Sequence, residues 1–160
     1  MDLSDVRVVM SPEQMQRVGA FRYGVYVQEQ GKSARYADHA ARVLIEPADR
    51  AASSLVYYIE RNGIVFASLR AELLEEQDCA HAASFVTFGF MPPSQMLFLS
   101  RLMVAADARG SSAMARFFQA GFALAILKGR SLGLLTCRPA LVAVFERFGC
   151  LQYADAFTHA

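Results

Sequence analysis

Asn62-Gly63 stands between two apolar runs, residues 53–60 and 64–73, and this constrains the fold more than any other feature of the chain. Asn and Gly tolerate the positive φ of a tight turn, so the pair predicts two strands folded back on one another through 61–63. Residues 96–104 form a third apolar run, broken only by Ser100 and Arg101, as a buried central strand requires. Shorter apolar runs at 6–10, 132–136 and 150–158 predict further strands.

Helices are written between them. Ser11-Pro12 followed by Gln14 is a capping box with proline at the first helical position, and Met15, Val18, Phe21, Arg22, Val25 and Tyr26 continue at helical spacing. A second helix carries Met114, Phe117, Phe118, Phe122 and Ala125, and Lys128-Gly129 closes it with a cation and then a left-handed glycine. A third starts at Pro139, carries Leu141, Val142, Val144, Phe145 and Phe148, and stops at Gly149. Residues 28–52 lack clear periodicity and read as a long loop or a short helix. Residues 75–83 are polar with no assignable period, and the apolar run 85–91 ends at Pro92-Pro93. The order β-α-loop-β-β-loop-β-α-β-α-β predicts a mixed α/β fold. It is one domain over residues 1–160, with a mixed central sheet of about six to seven strands flanked by helices on both faces.

The formal net charge of +1 gives no electrostatic case for nucleic acid. No stretch approaches the roughly 18 apolar residues of a membrane span, and no secretory signal opens the chain, so a cytoplasmic protein is expected. Cys79, Cys137 and Cys150 then read as reduced thiols; they and His39, His81 and His159 have no ligand spacing, so no metal site is expected. Covalent catalysis by Cys137 is disfavoured for want of a partnering histidine. A hydrophobic fraction of 54% exceeds what an ordinary core needs, which points to an apolar ligand tunnel or a homodimer face. Phe85, Phe88, Phe90 and Met91 could line such a tunnel or simply pack.

Chemistry concentrates at the turn after the central strand. Arg109-Gly110-Ser111-Ser112-Ala113 leads into a helix, where small residues let backbone amides approach an anion and the helix dipole favours negative charge. An ordinary solvated turn with a helix cap is the competing reading. The run of strand, Arg-Gly turn, amphipathic helix, short strand and Phe145-Glu-Arg-Phe-Gly149 resembles the second half of a GNAT acyltransferase. That family's pyrophosphate loop is Arg/Gln-x-x-Gly-x-Gly/Ala. Here it is Arg109-x-x-Ser112-x-Met114: both glycines are altered while Gly110 keeps the Arg-Gly opening. The alteration suits relatives whose donor is an acyl carrier protein.

The first half narrows the resemblance. Phe21-Arg22-Tyr23-Gly24-Val25-Tyr26, leading through Glu29 to Gly31, is similar to the opening helix of acyl-homoserine-lactone synthases and long-chain N-acyl amino acid synthases. Glu46-Pro-Ala-Asp49 stands where these enzymes have paired acidic residues, the strand ending at Arg70 matches theirs, and Leu99-Ser100-Arg101 resembles their Glu-x-Ser-Arg strand. The resemblance runs from about Arg22 to Tyr153. The lactone synthases' Trp is missing, and their glutamate is Phe98 here, so the amino acid synthase side is the better match. The resemblance implies an N-acyltransferase acting on an amino acid or similar small amine. Its co-substrate would be an acyl-phosphopantetheine on a carrier protein, or acyl-CoA, with no tightly bound cofactor.

Aminolysis of a thioester needs a neutral amine, a polarised carbonyl and a positioned donor. Backbone amides near Met103 and Val104 are candidates for the carbonyl oxygen. Thiolate leaves readily, which fits Phe145 standing where many GNAT enzymes place a tyrosine. Ser100 and Arg101 are the expected catalytic-strand residues, and the proton acceptor is open between Glu29, Glu72 and a water relay. Arg22, Arg70 and Arg101 lie in apolar segments and need partners. They grip either an acceptor carboxylate or one of Glu46, Asp49 and Glu29, and Tyr26 is expected among the substrate-binding residues.

Overall fold

The computed structural model describes residues 4–75, 91–110 and 112–153. Its elements are β1 (Val6–Val8), α1 (Pro12–Tyr23), a π-helical turn (Gly24–Glu29), β2 (Ala37–Asp38) and β3 (Val43–Leu44). A 3-10 turn (Pro47–Arg50), β4 (Ser54–Arg61), β5 (Ile64–Leu73), β6 (Met96–Val104), α2 (Ala113–Leu127), β7 (Leu132–Leu135) and α3 (Val142–Glu146) follow. The main sheet has the order β1-β4-β5-β6-β7, antiparallel except for the parallel pair β6–β7, and β2–β3 form a separate small ribbon.

The Asn-Gly hairpin forms as expected, with Asn62 at φ 52° and Gly63 at φ 77°. The capping box at Ser11 and Gln14 is complete in both directions. The sheet holds five strands among the described residues rather than six or seven. Residues 150–153 are irregular, so the expected last strand does not begin there; 154–160 lie outside the described residues, as do Phe85, Phe88, Cys79, His81 and His159. The stretch 28–52 contains the β2–β3 ribbon and a 3-10 turn rather than only a loop or short helix.

Strand alternation sorts the side chains onto two covered faces. Tyr57, Ile59, Ala67, Leu69, Ala71 and Leu97 pack against Ala113, Phe117, Ala120 and Leu124 of α2. Val56, Tyr58 and Val65 pack against Val18, Met15 and Phe21 of α1. Burying each of these large side chains contributes about 1.5–3 kcal/mol before entropy is counted. Not all of the apolar surplus is internal. Phe122, Ile126 and Leu127 are 68%, 67% and 78% exposed on the outer side of α2. There, Phe118, Phe122 and Phe148 border a shallow groove of about 320 Å³.

α1 also sits tightly on β3. A Cβ built on Gly19 would lie 2.6 Å from Val43 Cγ1 and 2.7 Å from Ile45 Cγ1. Branched side chains cannot withdraw from such a contact without moving backbone, so Gly19→Ala is expected to cost about 1–3 kcal/mol despite alanine's better helix propensity. Urea denaturation checks this, and a stabilised Gly19→Ala protein would contradict the packing. The helix expected through Tyr26 ends as α-helix at Tyr23 and widens into the π turn. Such turns often occur at functional sites. This one leaves Val25 buried while Tyr26 comes to lie beside Arg101.

Candidate functional site

β6 is paired unequally on its two sides. β5 follows it to Val104, with Ala67 opposite, whereas β7 pairs only from Met96 to Leu99, opposite Leu132 to Leu135. Among the described residues, 100–104 therefore have a strand on one edge and none on the other. Between Ser100 and Met103, β6 takes three steps while β5 takes two from Arg70 to Ser68. The extra residue is a β-bulge, and Arg101 lies there at φ 53°. A bulge re-aims side chains, and a non-glycine residue at positive φ costs about 1–3 kcal/mol that the surroundings must hold in place.

The amide of Ala105 bonds Phe66 O at 2.8 Å. Alternation then turns Met103 toward β5 and the amides of Leu102 and Val104 toward the open edge. Of the two residues expected to offer an amide to a carbonyl oxygen, the geometry leaves Val104.

Past Val104 the chain makes a 3-10 turn (Ala106–Ala108), then extended Arg109 and Gly110 at φ 87°, then Ser112 as N-cap of α2 without a side-chain cap bond. Gly110 is required for its backbone angle, since a Cβ there would meet nothing within 4 Å. The small-residue turn thus sits at the expected place, strand end to helix start, with Ser111 outside the described residues. The Arg109 guanidinium is ion-paired with Glu29 across the mouth of the turn. Both side chains are well exposed, and Glu29, a candidate proton acceptor from sequence, is engaged there instead.

Behind the bulge lies a buried ionic cluster assembled from five segments. Arg22 Nη1 donates to Asp49 Oδ1 at 2.7 Å, and Arg22 Nε donates to Ser68 Oγ at 3.3 Å. Arg70 Nη1 donates to Glu46 Oε2 at 2.7 Å and to Asp49 Oδ1 at 3.3 Å. Its Nε reaches Glu72 Oε1 at 2.9 Å and Ser100 Oγ at 3.1 Å, and Ser100 Oγ in turn donates to Glu72 Oε1 at 2.9 Å. Arg101 Nε donates to Glu46 Oε2 at 2.8 Å and its Nη2 to Glu46 Oε1, while its guanidinium lies 5.6 Å from the Tyr26 ring centre. Asp49 Oδ2 also accepts the Glu46 amide at 2.7 Å, fixing the acidic turn.

Three guanidinium groups thus meet three carboxylates, and the internal partners account for all three arginines expected to grip an acceptor. Arg22 and Arg70 are 0% and 4% exposed, so they hold the site rather than meet a ligand; only Arg101 has appreciable exposure. Burial pushes Arg22 below the usual guanidinium range against the pull of Asp49. Arg70 and Arg101 are raised, because their carboxylates outweigh burial.

Burial alone would raise Glu46, but the hydrogen bonds and charges of Arg101 and Arg70 bring it down to about 2 from 4.5. A depressed carboxylate stabilises the fold above its unfolded pKa and loses that contribution as pH falls toward the folded value. Glu46→Gln is therefore expected to flatten stability between pH 4.5 and about 2, a difference on the order of 3 kcal/mol. Equal acid unfolding of the two proteins would contradict this.

Other expectations fare differently. Phe145 is 8% exposed and meets Phe118 of α2 edge to face at 5.8 Å, so it packs in the core rather than facing a substrate. Burial pushes the Cys137 thiol up, which works against a nucleophile. Tyr23 Oη lies 2.9 Å from His39 Nδ1, a contact no local pattern announced. Among the described residues no group of three or more His, Cys, Asp or Glu could hold a metal, and no helix is long and apolar enough to cross a membrane.

No family model and no curated protein matches the chain, but solved structures do. A putative acetyltransferase from Agrobacterium tumefaciens aligns at TM-score 0.67 with 14% identity over 97% of this chain and 98% of that one. An aminoglycoside N-acetyltransferase in complex with CoA aligns at 0.66 with 12% identity over 98% of each. A GCN5-related N-acetyltransferase from Ralstonia eutropha aligns at 0.65 with 14% identity over 97% and 98%. The fold is the GNAT fold. At these identities the likeness concerns architecture, and the GNAT sheet with helices on both faces is the one anticipated from sequence.

Proposed function

We propose that the chain is an N-acyltransferase that moves an acyl group from the pantetheine thioester of acyl-CoA onto the amine of a small molecule. The observation that carries this is the edge of β6 at 100–104, unpaired among the described residues, which runs from the ionic cluster to the turn at Gly110 and the start of α2. A pantetheine arm is a row of amides that can complete such an edge like a short strand. Its phosphates would meet Gly110, Ser112 and the helix start, with Arg109 exchanging Glu29 for a phosphate. CoA complexes among the structures with this GNAT fold support CoA as the donor.

In this site the Val104 amide receives the charge developing on the thioester oxygen. The amine nitrogen attacks the carbonyl carbon, the C–S bond breaks and the thiolate leaves. Ser100 Oγ, already donating to Glu72, is placed to pass the amine's proton to that carboxylate. Glu72 supplies the carboxylate near the strand where Phe98 cannot, since the two residues are cross-strand partners.

A second reading, transfer from an acyl carrier protein to an amino acid, has its own support. Arg22, Tyr26, Glu46, Asp49, Arg70, Ser100 and Arg101, which carried the resemblance to the N-acyl amino acid synthases, gather in one cluster. Ser112 and Met114 also replace the glycines of a CoA loop. Purified protein is incubated with acetyl-CoA, longer acyl-CoAs and acyl carrier proteins plus pooled amines, following thiol release and products by mass spectrometry. Saturable transfer from acyl-CoA supports the first reading. Transfer confined to carrier-bound donors supports the second. Thioester binding without any acylated amine would leave only a non-catalytic acyl- or carrier-binding domain.

A further inference from the structure

The arginines of the cluster are spent on internal carboxylates, yet positive charge remains at the point where β6 and β7 part. The last pair of these parallel strands is Leu99 with Leu135. Two residues further along β6 is Arg101, and three residues beyond the end of β7 comes the exposed Arg138. From the π turn comes a third: Lys32 Nζ lies 4.7 Å from the Tyr26 ring centre, on the ring that Arg101 also approaches. The amide of Lys32 is anchored to Tyr26 O at 3.1 Å, and Gly31 at φ 62° makes the turn that brings it back.

The charges at this mouth do not balance. Arg101 shares Glu46 with Arg70, and among the described residues no carboxylate forms an ion pair with Lys32 or Arg138. Glu29, three residues before Lys32 in the chain, is taken by Arg109. Burial first, then the charges of Arg138 and Arg101, push the Lys32 ammonium below its usual value. An aromatic ring flanked by cations relieves part of this repulsion, but a bound anion would relieve far more.

We propose that Lys32, lying over the Tyr26 ring that Arg101 also approaches, forms with Arg138 an acceptor subsite for an anionic group, so that the acylated amine also carries a carboxylate or a phosphate. This rests on reading the open β6 edge as the reaction cleft and narrows the acceptor class. A polycationic amine would meet like charge at the same place and be disfavoured.

The test measures binding before turnover. L-amino acids are compared with their C-terminal amides, and phosphoethanolamine with ethanolamine, by NMR titration of the full chain without donor; kanamycin serves as the polycationic probe. The anionic member of at least one pair is expected to bind about tenfold or more tightly, and which pair responds separates carboxylate from phosphate. Lys32→Gln and Arg138→Gln should each erase most of that preference, and Lys32→Arg should keep it. Both side chains lie outside the core, so the circular dichroism of these variants should match that of the parent. Equal binding within both pairs, no binding, tighter binding of kanamycin, or a preference unmoved in both Gln variants would overturn the subsite. An intact anion preference without thiol release from any donor would instead fault the acyltransferase reading and leave the subsite standing.

Discussion

Asp49→Ala is expected to remove about 3–5 kcal/mol of stability, a large part of the 5–15 kcal/mol typical of a domain. The side chain of Asp49 is 0% exposed, and one of its oxygens serves both Arg22 and Arg70. Its other oxygen holds the Glu46 amide that shapes the acidic turn. Removing it leaves Arg22, whose side chain is 1% exposed, with only Ser68 as a partner among the described residues. A guanidinium cannot shed its proton to escape, so the desolvation cost falls on the fold. Replacing both ions by apolar residues removes that cost, and Arg22→Met with Asp49→Leu should regain much of the loss. Urea denaturation of the single and double variants reads the difference. A single variant within 1 kcal/mol of the parent would show that Arg22 reaches water and that the cluster is not buried as described.

The second large effect concerns rate. Val104→Pro deletes the open-edge amide assigned to the thioester oxygen, and this is expected to lower kcat about 10²–10³-fold, the usual loss of one donor to a developing oxyanion. Proline is tolerated where a strand has no partner, and its φ near −65° lies within the extended region. The preceding Met103 is already extended, as a residue before proline must be. Met103→Pro is the contrasting variant, because its amide faces β5 beside Ser68 and its loss should destabilise the sheet. If Val104→Pro folds and retains the parental rate, the carbonyl oxygen is stabilised elsewhere.

What could be read from the residues alone was what local chemistry writes. The Asn62-Gly63 turn, the Ser11–Gln14 capping box and the strand-turn-helix around Gly110 depend on neighbours within a few positions, and each appeared in place. The mixed α/β architecture followed from their order, and its GNAT character from the family resemblance. The bulge at Arg101 was not legible, since it arises from the register of β6 against β5 and not from any residue that marks it. The β2–β3 ribbon was missed because strands of two residues carry no period. Arg22, Arg70 and Arg101 were recognisable as cations needing partners, but the choice between ligand and internal carboxylate depends on Glu46 and Asp49 arriving from a distant turn. Lys32 and Arg138 had no signal, being lone charges that no local pattern connects to Tyr26 or to one another.

The central claim is that the free edge of β6 receives a pantetheine arm. Amide hydrogen exchange with and without acetyl-CoA tests it most directly. New protection is expected at 102–104 and at 110–116, with little change at the outer apolar groove beside Phe118 and Phe122. Unchanged exchange along β6 at saturating acetyl-CoA and saturating acyl carrier protein, or protection confined to that outer groove, would contradict it.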